Sequence, residues 1–139
     1  MIKKGRFLSW LLVVSFLTIG SITFIFASSE KTSMIREILN NKKDYDGRRV
    51  TVEGRTTQFT VHKNGRHYTT FNLSDENNAR KVLKVLKQSI IDENERRRMR
   101  GSIVEVSGTF YRVMEVGRMR YRNAIEASSI TLIIHKERK

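Results

Sequence analysis

The residues best able to do chemistry in this chain are cations set among aromatic rings. One group is Arg55, Phe59, Lys63, Arg66 and Tyr68. A second is Tyr111, Arg112, Arg118, Arg120, Tyr121 and Arg122. Such a mixture suits a single-stranded nucleic acid or another polyanion. Arg and Lys neutralise phosphates, and a flat ring stacks on an unpaired base for roughly 1–3 kcal/mol. The candidate binding set is Arg55, Lys63, Arg66, Tyr68, Arg112, Arg118 and Arg120.

Catalytic chemistry has less to work with. Cysteine is absent, which excludes thiolate zinc sites, cysteine nucleophiles, thiol redox chemistry and disulfide scaffolds. The sequence contains no G-x-G-x-x-G, Walker loop, H-E-x-x-H or G-x-S-x-G. His62 and His67 lie five apart across a turn, where a metal could reach both, but a solvated pair is the simpler account. A metal-dependent nuclease needs clustered carboxylates. Asp75 and Glu76 are one adjacent pair, and Glu53 and Glu105 belong to separate strands. The expectation is a protein without catalytic activity, cofactor or metal.

Charge is unevenly spread. The chain has 139 residues, with 27 Lys and Arg against 14 Asp and Glu. Lys3, Lys4 and Arg6 precede an uncharged stretch from Phe7 to Ala27, after which come Ser28 and Ser29. A basic start, a long apolar run and small residues form the layout of an export signal, with Ile25 and Ala27 at −3 and −1 of a cut after Ala27. The run also matches the ~20 residues that cross a bilayer, so an uncleaved inner-membrane tether through residues 7–27 is the alternative. Both place the remainder in the periplasm or another extracytoplasmic space. Without the three leader cations, 24 basic residues still face 14 acidic ones, a charge of +10.

The elements that must position the candidate site follow from periodicity. Thr32 to Asn41 reads as an amphipathic helix, capped by Thr32 or Ser33, with Met34, Ile35, Ile38 and Leu39 on one face. KKDYDG then forms a polar turn. Val50 and Val52 alternate with Thr51 and Glu53, the period of a strand, and Gly54 suggests a bulge or sharp bend there rather than a strand end. Asn64-Gly65 marks a hairpin turn. The return strand carries His67, Thr69, Phe71 and Leu73 on one face and Tyr68, Thr70 and Asn72 on the other, so Tyr68 is expected to face outward. Arg80 to Ile91 admits helix or strand, and Arg80 to Lys87 is read as a third strand. Ile91 to Met99 has acids early and arginines late, as a helix dipole prefers, and Gly101 stops it. Val104 and Val106 alternate, Gly108 interrupts, Gly117 turns, and the last strand is expected in two pieces.

This order places five strands with a helix between the third and fourth. The predicted class is all-β with short helices: a five-stranded OB-fold Greek-key barrel behind an N-terminal signal or anchor helix. The divisions are a leader at 1–27, a short helix and linker at 28–43, the barrel at 44–134 and a charged tail at 135–139. OB barrels bind strands across their second and third strands and through the 1–2 and 4–5 loops, where the candidate cations cluster.

The segments DYDGRRVTVEGRT, YTTFNLSD, GSIVEVSGTF and RNAIEASSI resemble the OB-fold nucleic-acid-binding family related to tRNA anticodon-binding domains. The resemblance covers roughly Asp44 to Ile130 and implies the barrel more firmly than any ligand. A second resemblance is to the periplasmic haem chaperone of cytochrome c maturation, which also has a basic N-terminus, one membrane segment and an OB barrel. That family attaches haem through His-x-x-x-Tyr. Here the residues four after His62, His67 and His135 are Arg66, Phe71 and Lys139, so the motif is absent. The functional expectation is an exported OB-fold protein binding single-stranded nucleic acid or another polyanion. The alternatives are a non-enzymatic envelope module for protein partners or anionic ligands and, behind it, a metal-dependent OB-fold nuclease.

Overall fold

The computed structural model describes residues 33–133. The leader, the cap at Thr32 and the tail with His135 lie outside the described residues. Two short helices, α1 (Met34–Asn40) and α2 (Lys42–Tyr45), precede strands β1 (Arg49–His62), β2 (Tyr68–Asp75) and β3 (Asn78–Lys87). Helix α3 (Glu93–Met99) follows, and then β4 (Ile103–Val116) and β5 (Met119–Leu132). The strands close into a barrel in the order β1-β2-β3-β5-β4. The five-stranded barrel read from the sequence is therefore the fold, with α3 between β3 and β4. Among the described residues, no helix is long and apolar enough to cross a membrane.

Strand β1 serves both sides of the barrel. Arg49 to Arg55 pair with Thr109 to Ile103 of β4, and Arg55 to His62 pair with Ser74 to Tyr68 of β2. The bulge lies beyond Gly54. Thr57 and Thr60 oppose Asn72 and Thr70, so three steps along β1 match two along β2, and Gln58 adopts a φ of 54°. The extra residue sharpens the local twist. Gly54 instead permits a close approach. A Cβ there would stand 2.7 Å from the Ser74 carbonyl oxygen, 2.8 Å from Ile35 Cδ1 and 2.9 Å from Leu73 Cγ.

Alternation fills the barrel. Val52, Phe71, Leu73, Leu83, Val85, Val104, Val106, Phe110 and Ile125 are buried in one cluster, which Ile35 and Ile38 of α1 and Met99 of α3 also join. Each large side chain removed from water contributes about 1.5–3 kcal/mol. Helix α3 is fixed at both ends. The Asp92 carboxylate accepts from the Glu95 amide at 3.0 Å, and the buried Thr56 hydroxyl donates to the Met99 carbonyl. Closure comes from the parallel pairing of Val85 with Ile125.

Three local expectations are corrected. KKDYDG contains the short helix α2 rather than only a turn. Ser33 precedes α1 but makes no side-chain cap bond. The last strand is continuous over 14 residues, because Asn123, with a φ of 50°, absorbs the distortion without breaking the ladder to β4.

Candidate functional site

The β1–β2 loop and the β4–β5 turn meet at one end of the barrel. Beyond Thr109, β4 pairs only with β5, and β5 pairs with β3 only from Ala124 onward. Tyr111 to Val116 and Met119 to Asn123 therefore form a two-stranded arm past the barrel wall. A free two-stranded hairpin is marginal in water. This arm is held by a second apolar cluster, in which Val116, Tyr121 and Ala124 pack with Tyr68 of β2 and Leu86 of β3.

A groove of about 760 Å³ lies between the loop and the arm. Lys63 and Arg66 line it from the β1–β2 loop, and Arg118 lines it from the turn. Val61, Val116 and Met119 supply apolar wall, and His62 and Tyr68 supply rings. Among the described residues, no carboxylate lines it. Three cations gathered in one concave site focus positive potential, because the low-dielectric walls limit screening. Arg66 and Tyr68 also border a smaller cavity of about 240 Å³ with His67, Gln88 and Val116.

Tyr68 departs from its expected role. It stays out of the main core, as alternation requires, but its ring is 5 % exposed rather than open. The His62 ring stacks on it at 4.2 Å and 9°, and Tyr121 meets it edge-on at 6.4 Å and 83°. The two tyrosine hydroxyls lie 3.0 Å apart. Burial, followed by the Tyr68 hydroxyl bond, holds the Tyr121 phenol well above its ordinary pKa. Of the two stacked rings, His62 is therefore the more exposed to the groove and Tyr68 the covered one. His62 Nε2 also lies 3.4 Å from Thr70 Oγ1.

The other predicted cations disperse. Arg55 donates to the Gly101 carbonyl and ties β1 to the end of α3. Arg112 lies by a separate cleft of about 500 Å³ with Lys42, Lys43 and Asp44, and its amide donates to Asp46 Oδ1 at 3.0 Å. Arg120 stands opposite Glu115 in the β4–β5 ladder. Thus Lys63, Arg66, Tyr68 and Arg118 converge, whereas Arg55, Arg112 and Arg120 lie away from the groove. Sequence reasoning missed His62 and Met119 as groove residues. Proximity of His62 to the Asn64-Gly65 turn was the available signal for the first. Met119, 47 % exposed beside Gly117, gave the corresponding signal only through its position in the second turn.

Glu53 and Glu105 are exposed and stand opposite one another in the β1–β4 ladder, whereas Asp75 is used structurally. The Asp75 side chain is 1 % exposed, accepts from Arg36 at 3.4 Å and accepts from the Asn77 amide at 2.9 Å. It pins α1 to the β2–β3 turn. Among the described residues, no three His, Asp or Glu side chains gather as a metal site. Of the late arginines of α3, Arg97 and Arg98 are exposed, whereas Arg96 is half-buried and donates to the Ile91 carbonyl at 3.1 Å. No protein-family model matches the chain, and no curated protein matches it.

Proposed function

We propose that this chain is a non-enzymatic OB-fold binding protein that holds a single-stranded nucleic acid in the groove between its β1–β2 loop and β4–β5 turn. The observation that carries the reading is the lining: Lys63, Arg66 and Arg118 come from two distant segments into one concavity that, among the described residues, no acid lines. Phosphates of an extended strand meet cations there without paying for displacement of a resident carboxylate. The resemblance to nucleic-acid-binding OB domains supports the same ligand class. The basic, then uncharged, leader over residues 1–27 supports an extracytoplasmic place of work, with or without a membrane tether.

Fluorescence anisotropy tests the ligand. The full-length chain in neutral detergent is titrated with labelled single-stranded DNA and RNA across a salt series. Affinity should fall linearly on log–log axes, and each groove cation removed should lower the slope by about 0.7. Absence of binding at about 50 mM salt overturns the reading. Vesicles of anionic phospholipid serve as competitor. If they bind and the oligonucleotides do not, the groove belongs to an envelope polyanion instead.

A further inference from the structure

The ring most accessible to a ligand in the groove is His62, not either tyrosine. Its imidazole lies parallel to Tyr68 at 4.2 Å and 9°. One face is thereby covered, and only the other can meet a ligand. Tyr121 props Tyr68 from its far side, edge-on, through the 3.0 Å hydroxyl contact. Two buried phenols thus fix the plane of a half-buried imidazole before any ligand arrives. Across the groove, the turn presents Met119, 47 % exposed, together with Val116 and Gly117. A thioether is polarizable and adapts to an aromatic edge or face. Lys63, Arg66 and Arg118 complete the lining.

We infer that the groove clamps one unpaired nucleobase between the free face of His62 and the Met119 side chain, while Lys63, Arg66 and Arg118 take the adjoining phosphates. This rests on the nucleic-acid reading above and sharpens it, since phosphate neutralisation alone needs neither a fixed ring nor an apolar wall. Histidine is among the side chains on which single-stranded bases stack. The clamp is tolerant of base identity, because every base has a π-face.

The test uses a thymidine oligonucleotide carrying one 2-aminopurine, whose fluorescence is quenched on stacking, with anisotropy recorded in the same titration. The full-length chain in neutral detergent should bind and quench. His62→Ala should bind about tenfold more weakly, the scale of one base–aromatic stack, and lose the quench at saturation. His62→Phe should keep both. The His62→Ala affinity ratio should be the same at about 50 and 200 mM salt, whereas the Lys63→Ala ratio should shrink, because only phosphate contacts release counterions. Met119→Asp, at a position 47 % exposed, should also abolish the quench at saturation. Binding without quench in the unaltered chain, or an undiminished quench in His62→Ala or Met119→Asp, overturns the clamp and leaves the polyanion groove standing. No binding overturns both.

Discussion

The hydroxyls of Tyr68 and Tyr121, 53 positions apart in the chain, meet at 3.0 Å beneath the groove. This contact joins β2 of the barrel wall to the β4–β5 arm. Both rings belong to the apolar cluster with Leu86, Val116 and Ala124, and the hydroxyl pair is buried.

Removing one hydroxyl leaves its partner short of a bond in a buried place, at a cost of about 1–2 kcal/mol. Tyr68→Phe and Tyr121→Phe should each lower stability by that amount. The double variant should cost less than the sum, because the second change removes an already unpaired group. Urea denaturation of the four species measures the coupling. Additive losses would show that the hydroxyls act independently.

Alkaline titration should single out Tyr121. Its phenol is held above the usual value of 10 by burial and by Tyr68. A raised folded pKa contributes stability that is complete below the unfolded value and is lost as pH climbs past it. Phenolate absorbance should therefore include a late step, above the ordinary phenol range and coincident with loosening of the arm. Tyr121→Phe should delete that step. A titration in which Tyr121→Phe removes absorbance near pH 10 would contradict the assignment.

Asp75 holds α1 against the β2–β3 turn through Arg36. Its carboxylate is fully covered, whereas the Arg36 side chain is 40 % exposed. Arg36→Met leaves the covered carboxylate with only the Asn77 amide, and should cost about 3 kcal/mol. Asp75→Ala should cost less, because the 40 % exposed guanidinium and the exposed Asn77 amide can both turn to water. Thermal melts of the two variants give the order, and the reverse order would refute it.

Gly108 occupies a crossing where a side chain has no room. A methyl there would strike the Glu126 carbonyl oxygen and the Ala127 Cα, both backbone atoms that cannot swing away. Gly108→Ala should destabilise by about 2–4 kcal/mol, or prevent barrel closure. Gly65→Ala meets nothing within 4 Å and only the strain of its φ of 81°, so it should cost about 1 kcal/mol. Comparable melting temperatures for the two would overturn this contrast.

The cations should separate by place. Arg118→Ala removes a groove charge and should lower the salt slope of anion binding by about 0.7, whereas Arg112→Ala, beside Asp44 and Asp46, should leave it unchanged. Anisotropy at several salt concentrations decides it. Equal effects would mean that general charge, not the groove, attracts the ligand.

Much of the barrel was legible residue by residue. Val50 and Val52, Phe71 and Leu73, and Val104 and Val106 alternate with polar neighbours and are buried. Asn64-Gly65 and Gly117 make the two turns that border the groove. The bulge of β1 lies between Thr57 and Thr60, while Gly54, where a bulge or sharp bend is expected, admits the close approach of the Ser74 carbonyl, Ile35 and Leu73 within a continuous strand. Arg55 and Arg112 were singled out for charge. The structure engages the Arg55 guanidinium with the Gly101 carbonyl and seats Arg112 beside Asp46.

The amino-acid order by itself determined β1, β2 and β4, the turns at Asn64-Gly65 and Gly117, the α3 helix and the surplus of positive charge, because period-two alternation, turn chemistry and side-chain titration are local properties, whereas residues 80–87 admitted helix or strand and the last strand was expected in two pieces. It also determined that Tyr68 avoids the main core. Tertiary structure decided that Tyr68 is covered, that His62 lies on top of it, and that Lys63 and Arg66 share a groove with Arg118. Those outcomes depend on how far the β4–β5 arm runs past the barrel and where closure brings its tip. Strand tilt and stagger around the closed sheet set both, and no short window of sequence contains them.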